Sequence, residues 1–279
     1  MLPNESVQDR NERIFQCVSP VVMVTGSAAP RVGRRIVETF VSQNFRVVLH
    51  SHRTDEASQL ESQTALDELK SADHSAILVT GPVEDETQVS GWVDQTLEAY
   101  GRVDVLVNSA AIWGPCSLEE ARAIDYERNF RINVLGTALC GQHFGLAMAK
   151  QASGGAVINI GDWAVARPYR NFAPYLISKG TIESCTHALA VELAHRNPRV
   201  RVNAVMPGPI QLAVGVSPER QERIIQASLL KREGTADDLA QAALFLATSP
   251  FITGVCLPVD GGRTIWSGEN SDVNAHPDC

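Results

Sequence analysis

The chain has 279 residues, 44% hydrophobic and 20% charged, with a formal net charge of −8 at pH 7 and a pI near 5.4. That length and mix suit one large α/β domain rather than several small ones, and the acidic balance argues against nucleic acid or an anionic membrane as partner. No apolar run reaches the length of a membrane span, the N-terminus MLPNESVQDRNER lacks a signal-peptide core, and the six cysteines show no C-x-x-C spacing; reduced thiols in a cytoplasmic protein are expected, and a metal site is not.

Residues 1–18 read as a polar N-terminal tail, 19–266 as the folded domain, and 267–279 (SGENSDVNAHPDC) as a polar C-terminal tail, with both tails expected to be disordered. Apolar runs place strands near 20–25, 46–50, 76–80, 103–107, 155–160, 200–206 and 255–259. Helical patterns fill 32–44, 56–71, 86–100, 117–152 (broken near its middle), 174–197 and 236–249. The strands are short and rich in Val, Ile and Leu, as in a parallel sheet buried on both faces. Their alternation with helices predicts a single doubly wound parallel-sheet (Rossmann) domain of about seven strands, with ligands at the carboxyl ends of the strands.

The first turn, VVMVTGSAAPRVGRRI, joins the strand Val21–Val24 to a helical pattern that starts at Val32 and Gly33. Strand, glycine-bearing turn (Gly26, Gly33) and helix N-terminus together offer N–H groups and a favourable dipole to a pyrophosphate. Enzymes that take NAD hold the ribose 2′-hydroxyl with an acidic residue about 20 positions beyond this turn. Here that position is Arg53, with His50 and His52 before it and Thr54 after it. A guanidinium binds a 2′-phosphate through its planar fork where a carboxylate would repel it, so NADP(H) is the expected cofactor.

Tyr175 and Lys179, four residues apart, lie one above the other on a helix face. An ammonium there stabilises a phenolate and is expected to draw the tyrosine pKa down toward the working range. Such a phenol can protonate a substrate while hydride arrives from a nicotinamide. Asp162, in INIGDW upstream, is the second candidate. Ionised, it can only accept hydrogen bonds; protonated through burial, it can donate; or it simply caps the loop after its strand.

With these segments the chain resembles the short-chain dehydrogenase/reductase family over residues 19–266. The landmarks fall in order: Thr25-Gly26, Asn108-Ser109-Ala110-Ala111, Asn133 in INVLGT, Tyr175 and Lys179, Pro207-Gly208, and Val259-Asp260-Gly261-Gly262. Within the family the chain is most similar to pteridine reductases. Asp162 stands where most members carry a serine, the run His50-Ser51-His52-Arg53-Thr54 resembles their H-Y-H-R-S, and Arg31 precedes Gly33 as in their R-x-G.

The resemblance implies a catalytic set of Asp162, Tyr175, Lys179 and Asn133, with Asn133 holding a helix kink and a water next to the lysine, unless its amide only caps a turn. It implies cofactor contacts from Gly26, Arg31, Val32, Gly33, His50, His52, Arg53, Thr54, Asn108, Ala110, Lys179, Pro207 and Gly208. Trp113, Asp162, Tyr175 and Arg31 would meet the substrate, Trp113 by stacking on a flat heterocycle if it does not merely fill core. The loop and helix of 208–230 would cover the site, and the protein would be a homotetramer acting on a small molecule. The expected reaction is NADPH-dependent reduction of a dihydropterin-like C=N bond. The alternatives are a carbonyl reductase of the 3-oxoacyl or xenobiotic-ketone kind, and a non-catalytic NADP(H)-binding redox sensor.

Overall fold

A computed structural model describes residues 5–52, 55–210 and 217–266. Seven strands form one parallel sheet in the order β3-β2-β1-β4-β5-β6-β7: β1 Val21–Val24, β2 Arg46–Ser51, β3 Ala76–Thr80, β4 Val105–Asn108, β5 Gly155–Ile160, β6 Val200–Pro207 and β7 Cys256–Val259. The order reverses between β1 and β4, which opens a crevice at their carboxyl ends where ligands of such sheets sit.

Alternation along the strands builds two cores, one per face. Val22 and Val24 of β1, Val47 and Leu49 of β2, and Val105 and Val107 of β4 pack with Ile36, Val37 and Phe40 of α2 (Val32–Val41) and with Leu239 and Ala243 of α9 (Ala236–Thr248). Val21, Met23, Val48 and Leu106 face the other way, against Trp92 of α4 (Glu86–Tyr100), Phe144 and Met148 of α6 (Gly136–Ala149), and Leu193 of α7 (Ala173–Arg196). Burying both faces is why these strands read as continuous apolar runs. Helix α3 spans Glu56–Ser71.

The break expected within 117–152 is a π-helical segment, Phe130–Leu135, between α5 (Ala123–Asn129) and α6. The helix expected within 208–230 is α8 (Pro218–Gln226), which follows residues 211–216, outside the described region.

The N-terminal segment departs from its expectation as a disordered tail. Val7–Phe15 forms α1, closed by a capping box in which Ser6 and Asp9 satisfy each other's backbone N–H. Phe15 is 1% exposed and meets Phe45 edge-on at 5.6 Å. Arg102, paired with buried Asp104 at 2.6 Å, also donates to the Phe15 carbonyl at 2.6 Å. Polar composition hid one strongly buried aromatic and a helix start signal, Ser6-x-x-Asp9. The C-terminal segment 267–279 lies outside the described residues. No described helix is long and apolar enough to cross a membrane.

Candidate active site

Thr25 closes the first turn from below: its Oγ1 accepts from the N–H groups of Ser109 and Ala110 at 2.9 and 3.0 Å. Gly26 adopts φ +66°, and a Cβ there would lie 3.0 Å from the Ala110 Cα; a Cβ on Gly33 would sit 2.6 Å from the Gly26 carbonyl oxygen. Both positions need glycine because two backbones meet. No side chain caps the N-terminus of α2 at Arg31, so this end remains available to an anion. Arg31 itself is exposed. The arginine that holds the first turn is Arg34, donating to the carbonyls of Ser27 and Ala28 at 3.1 and 2.8 Å. Its only sequence signal was its place directly after Gly33.

His50 corrects a sequence expectation. It is fully buried rather than part of a basic rim. Its Nδ1 accepts from the Gly26 N–H at 2.9 Å and its Nε2 faces the Gly81 carbonyl at 2.9 Å, where it donates. The ring packs on Trp92 at 4.6 Å between centroids. Burial lowers its pKa to about 4, so it ties the first turn to the end of β3 as a neutral ring. His52 is exposed, and Arg53 and Thr54 lie outside the described residues.

The Asn108 amide also faces inward. It donates to Asn159 Oδ1 at 2.9 Å, and the Asn159 amide donates to Thr186 at 2.9 Å. This buried chain crosslinks β4, β5 and α7. What β4 presents to the crevice is therefore main chain at Ser109 and Ala110. Asn133 sits in the π-helical segment, where its amide pairs with the backbone of Ile112 at 2.8 and 3.1 Å and donates to Ser178 Oγ at 2.9 Å. Ser178 in turn donates to the Tyr175 carbonyl at 2.6 Å. Asn133 thus positions the loop after β4 against α7, and among its described partners neither Lys179 nor Asp162 appears.

At the centre, Tyr175 Oη donates to Asp162 Oδ2 at 2.5 Å, and Asp162 Oδ1 accepts from the Ala164 N–H at 2.8 Å. Asp162 therefore both caps its loop and meets the phenol. Lys179 Nζ donates to the Ile160 carbonyl at 2.7 Å. Burial raises the Asp162 pKa against the pull of Tyr175, Ala164 and Lys179. Burial lowers that of Lys179 to about 8. The tyrosine departs from expectation: burial, with Asp162 beside it, raises its pKa, and no lowering by Lys179 opposes this. The amino group is engaged with Ile160 while the phenol faces a carboxylate.

Aromatic rings surround this centre. Trp113 is 53% exposed, stacks on Phe172 at 5.0 Å and 27°, and donates from Nε1 to the Tyr169 hydroxyl at 3.4 Å. One partner of its ring is thus protein. Behind the centre, Pro207-Gly208 is pinned to the end of β7 by the Gly208 N–H, which donates to the Val259 carbonyl at 2.9 Å.

Residues 27–264 match a family model described as enoyl-(acyl carrier protein) reductase. The chain belongs to the short-chain dehydrogenase/reductase family. It is 32% identical over 254 residues to an uncharacterized oxidoreductase of Thermotoga maritima, covering 88% of this chain and 96% of that protein. It is 30% identical over 255 residues to the (2S)-[(R)-hydroxy(phenyl)methyl]succinyl-CoA dehydrogenase subunit BbsD of Thauera aromatica, covering 89% of this chain and 98% of that one. Among solved structures, a blue fluorescent protein from a metagenomic library, in complex with NADPH, superposes with a TM-score of 0.78 at 30% identity, over 88% of this chain and 97% of that one.

As a short-chain dehydrogenase/reductase, the protein is an NAD(P)-dependent oxidoreductase that acts on a small molecule. Its first turn fits a dinucleotide: the uncapped α2 N-terminus and the Gly26–Gly33 contact leave room and donors for a pyrophosphate.

Proposed function

We propose that this oxidoreductase uses NADP(H) to reduce a ring C=N bond of a dihydropterin-like heterocycle. The observation that carries the reading is the 2.5 Å bond from Tyr175 to a carboxylate at position 162. A serine there would offer a ketone a neutral donor, whereas an ionised carboxylate opposes a carbonyl oxygen gaining negative charge. The same carboxylate suits the N–H edge of a pterin. With its pKa raised by burial, it also holds a proton in common with Tyr175 for delivery to a ring nitrogen. When bound, the dihydronicotinamide supplies the hydride. Lys179, buried one helical turn beyond Tyr175, holds a positive charge under the site and would meet the nicotinamide ribose. Asn133, through Ser178, fixes the turn of α7 that bears Tyr175. Trp113 supplies an aromatic wall for a flat ring.

For the cofactor, Arg53 is the proposed 2′-phosphate partner, with His52 beside it; the NADPH held by the blue fluorescent relative supports this choice. Gly26, Val32 and Gly33 would carry the pyrophosphate, and Ala110, Pro207 and Gly208 would border the nicotinamide half. Assembly as a homotetramer belongs to the same reading, supported by apolar side chains left open on α6 and α7: Leu146, Ile177 and Val191.

A second reading is reduction of a carbonyl with Asp162 protonated. It is favoured by the Thauera relative, named as the dehydrogenase of a hydroxyl-bearing acyl-CoA. The deciding experiment is a rate panel with NADPH against dihydrobiopterin, dihydrofolate, quinonoid dihydropterin and activated ketones. Dihydropterin turnover supports the first reading, and ketone turnover alone replaces it with the second. NADPH binding without turnover of any substrate would leave a redox sensor.

A further inference from the structure

The turn that follows β7, residues 260–266, crosses the loop that follows Asp162, and Arg263 makes the crossing. Its Cζ lies 4.8 Å from the centre of the Trp163 ring, and its Nη1 donates to the Ile224 carbonyl of α8 at 2.5 Å. Its Nε is buried with no hydrogen-bond partner. Arg167 donates from Nη1 to the Arg263 carbonyl at 3.3 Å. The two guanidinium groups are close enough that Arg167, after burial, lowers the Arg263 pKa.

Neither arginine forms an ion pair with a described carboxylate. Asp260, whose charge reaches Arg263, commits its two oxygens to the N–H groups of Gly262 and Thr264 at 2.9 and 2.6 Å. Two neighbouring cations, one with a buried donor left open, thus stand without a carboxylate partner among the described residues. It borders the reaction centre: Trp163 follows Asp162 in the chain and lies 6.4 Å from the Tyr169 ring, which packs at 4.9 Å on Phe172, a neighbour of Tyr175 in the same cluster.

We infer that Arg263 and Arg167 bind an oxyanion carried by the substrate, a carboxylate or a phosphate, remote from the bond being reduced. The inference rests on reading Asp162, Tyr175 and Lys179 as the reaction centre. Arginine forks suit planar and tetrahedral oxyanions through paired N–H donors. In a chain of net charge −8 a local cationic pair also draws an anion to one place. The substrate is then an anionic heterocycle or keto acid rather than a neutral one.

The test uses the full chain and three small probes that differ in one group: benzoate, phenyl phosphate and benzamide, titrated by calorimetry. At least one anion binds tenfold or more tighter than benzamide, and the tighter of the two identifies carboxylate or phosphate. Arg167→Gln reduces that anion-to-amide affinity ratio tenfold or more, with NADPH affinity and Tm as controls for folding. Arg263→Lys, which keeps the charge but loses the fork, reduces it by a smaller factor. In turnover, Arg167→Gln lowers the kcat/KM ratio of dihydrofolate over dihydrobiopterin at least tenfold, mainly through KM. Equal binding of all three probes, or an anion affinity untouched by Arg167→Gln, overturns the inference. An enzyme that reduces dihydropterins without that preference keeps the reductase reading and loses this one. Anion binding that depends on Arg167, in a protein that reduces nothing, keeps the oxyanion site and removes the reductase reading.

Discussion

Tyr175 turns its hydroxyl toward Asp162, 2.5 Å away, and not toward Lys179, which is bonded to the Ile160 carbonyl. The phenol is therefore held by a carboxylate and the ammonium by a backbone carbonyl. Replacing Asp162 by Ser should slow dihydropterin reduction by about 10²–10⁴, the range for a lost acid–base partner. Ketone turnover should rise relative to it, because a neutral donor is restored. Steady-state rates on the two substrate types check both statements.

The same pair fixes a pH effect. Burial, and after it the charge and hydrogen bond of Asp162, hold the Tyr175 pKa above its ordinary value, and in the proposed reaction Tyr175 is the acid, which exists below that pKa. Asp162→Asn removes the negative charge, so the Tyr175 pKa falls and the alkaline limb of the kcat profile moves to lower pH. A limb left in place would show that Tyr175 is not the acid.

His50 makes stability depend on acidity. Its pKa is about 4 when folded, against 6.5 for an ordinary histidine, so the unfolded chain binds the extra proton first. Stability from this site is complete above pH 6.5 and is lost as pH falls through 4. The linkage amounts to about 2 kcal/mol lost between pH 7 and pH 5. Urea midpoints across that range should show the slope, and His50→Gln should flatten it.

Phe15 tests the N-terminal helix. The side chain is 1% exposed and belongs to the core on the α2 face. Truncation to Ala should cost about 3–5 kcal/mol, the range for a buried aromatic. Denaturant unfolding measures it, and a loss below about 1 kcal/mol, as at an exposed site, would mean that α1 does not pack.

The cofactor site offers two contrasting changes. Gly33→Ala forces a Cβ to 2.6 Å from the Gly26 carbonyl oxygen, backbone that cannot swing aside, so it should weaken NADPH and NADH together. Arg53→Ala should weaken NADPH alone, by roughly ten- to a hundredfold for one lost charge-assisted contact. Titration of both cofactors on both variants separates pyrophosphate binding from 2′-phosphate recognition.

The sheet was legible because its information is local and repeated: each strand is an apolar run of the right length, and the helices carry their own period. Helices α3 and α4 fall at 56–71 and 86–100 as read from the sequence. The neighbourhood of Tyr175, Lys179 and Asp162 was foreseeable for a similar reason, since two of them share one helix face and the third follows the strand beside it. Helix α1 was not, because what docks it is one buried ring, a cap and two buried polar side chains, Arg10 and Asn11, whose partners lie on distant segments. The sequence alone could name His50 as basic, yet its chemistry follows from where β2 ends, under Gly26 and beside Gly81, far from water. Likewise the direction of the Tyr175 pKa depends on burial and on which neighbour its hydroxyl faces, and Arg263 meets Arg167 only because the turn after β7 folds back over the loop after β5. Residue type and spacing determined the fold and the participants; burial and contacts between distant segments decided their charge states, because desolvation and pairing are properties of the packed chain.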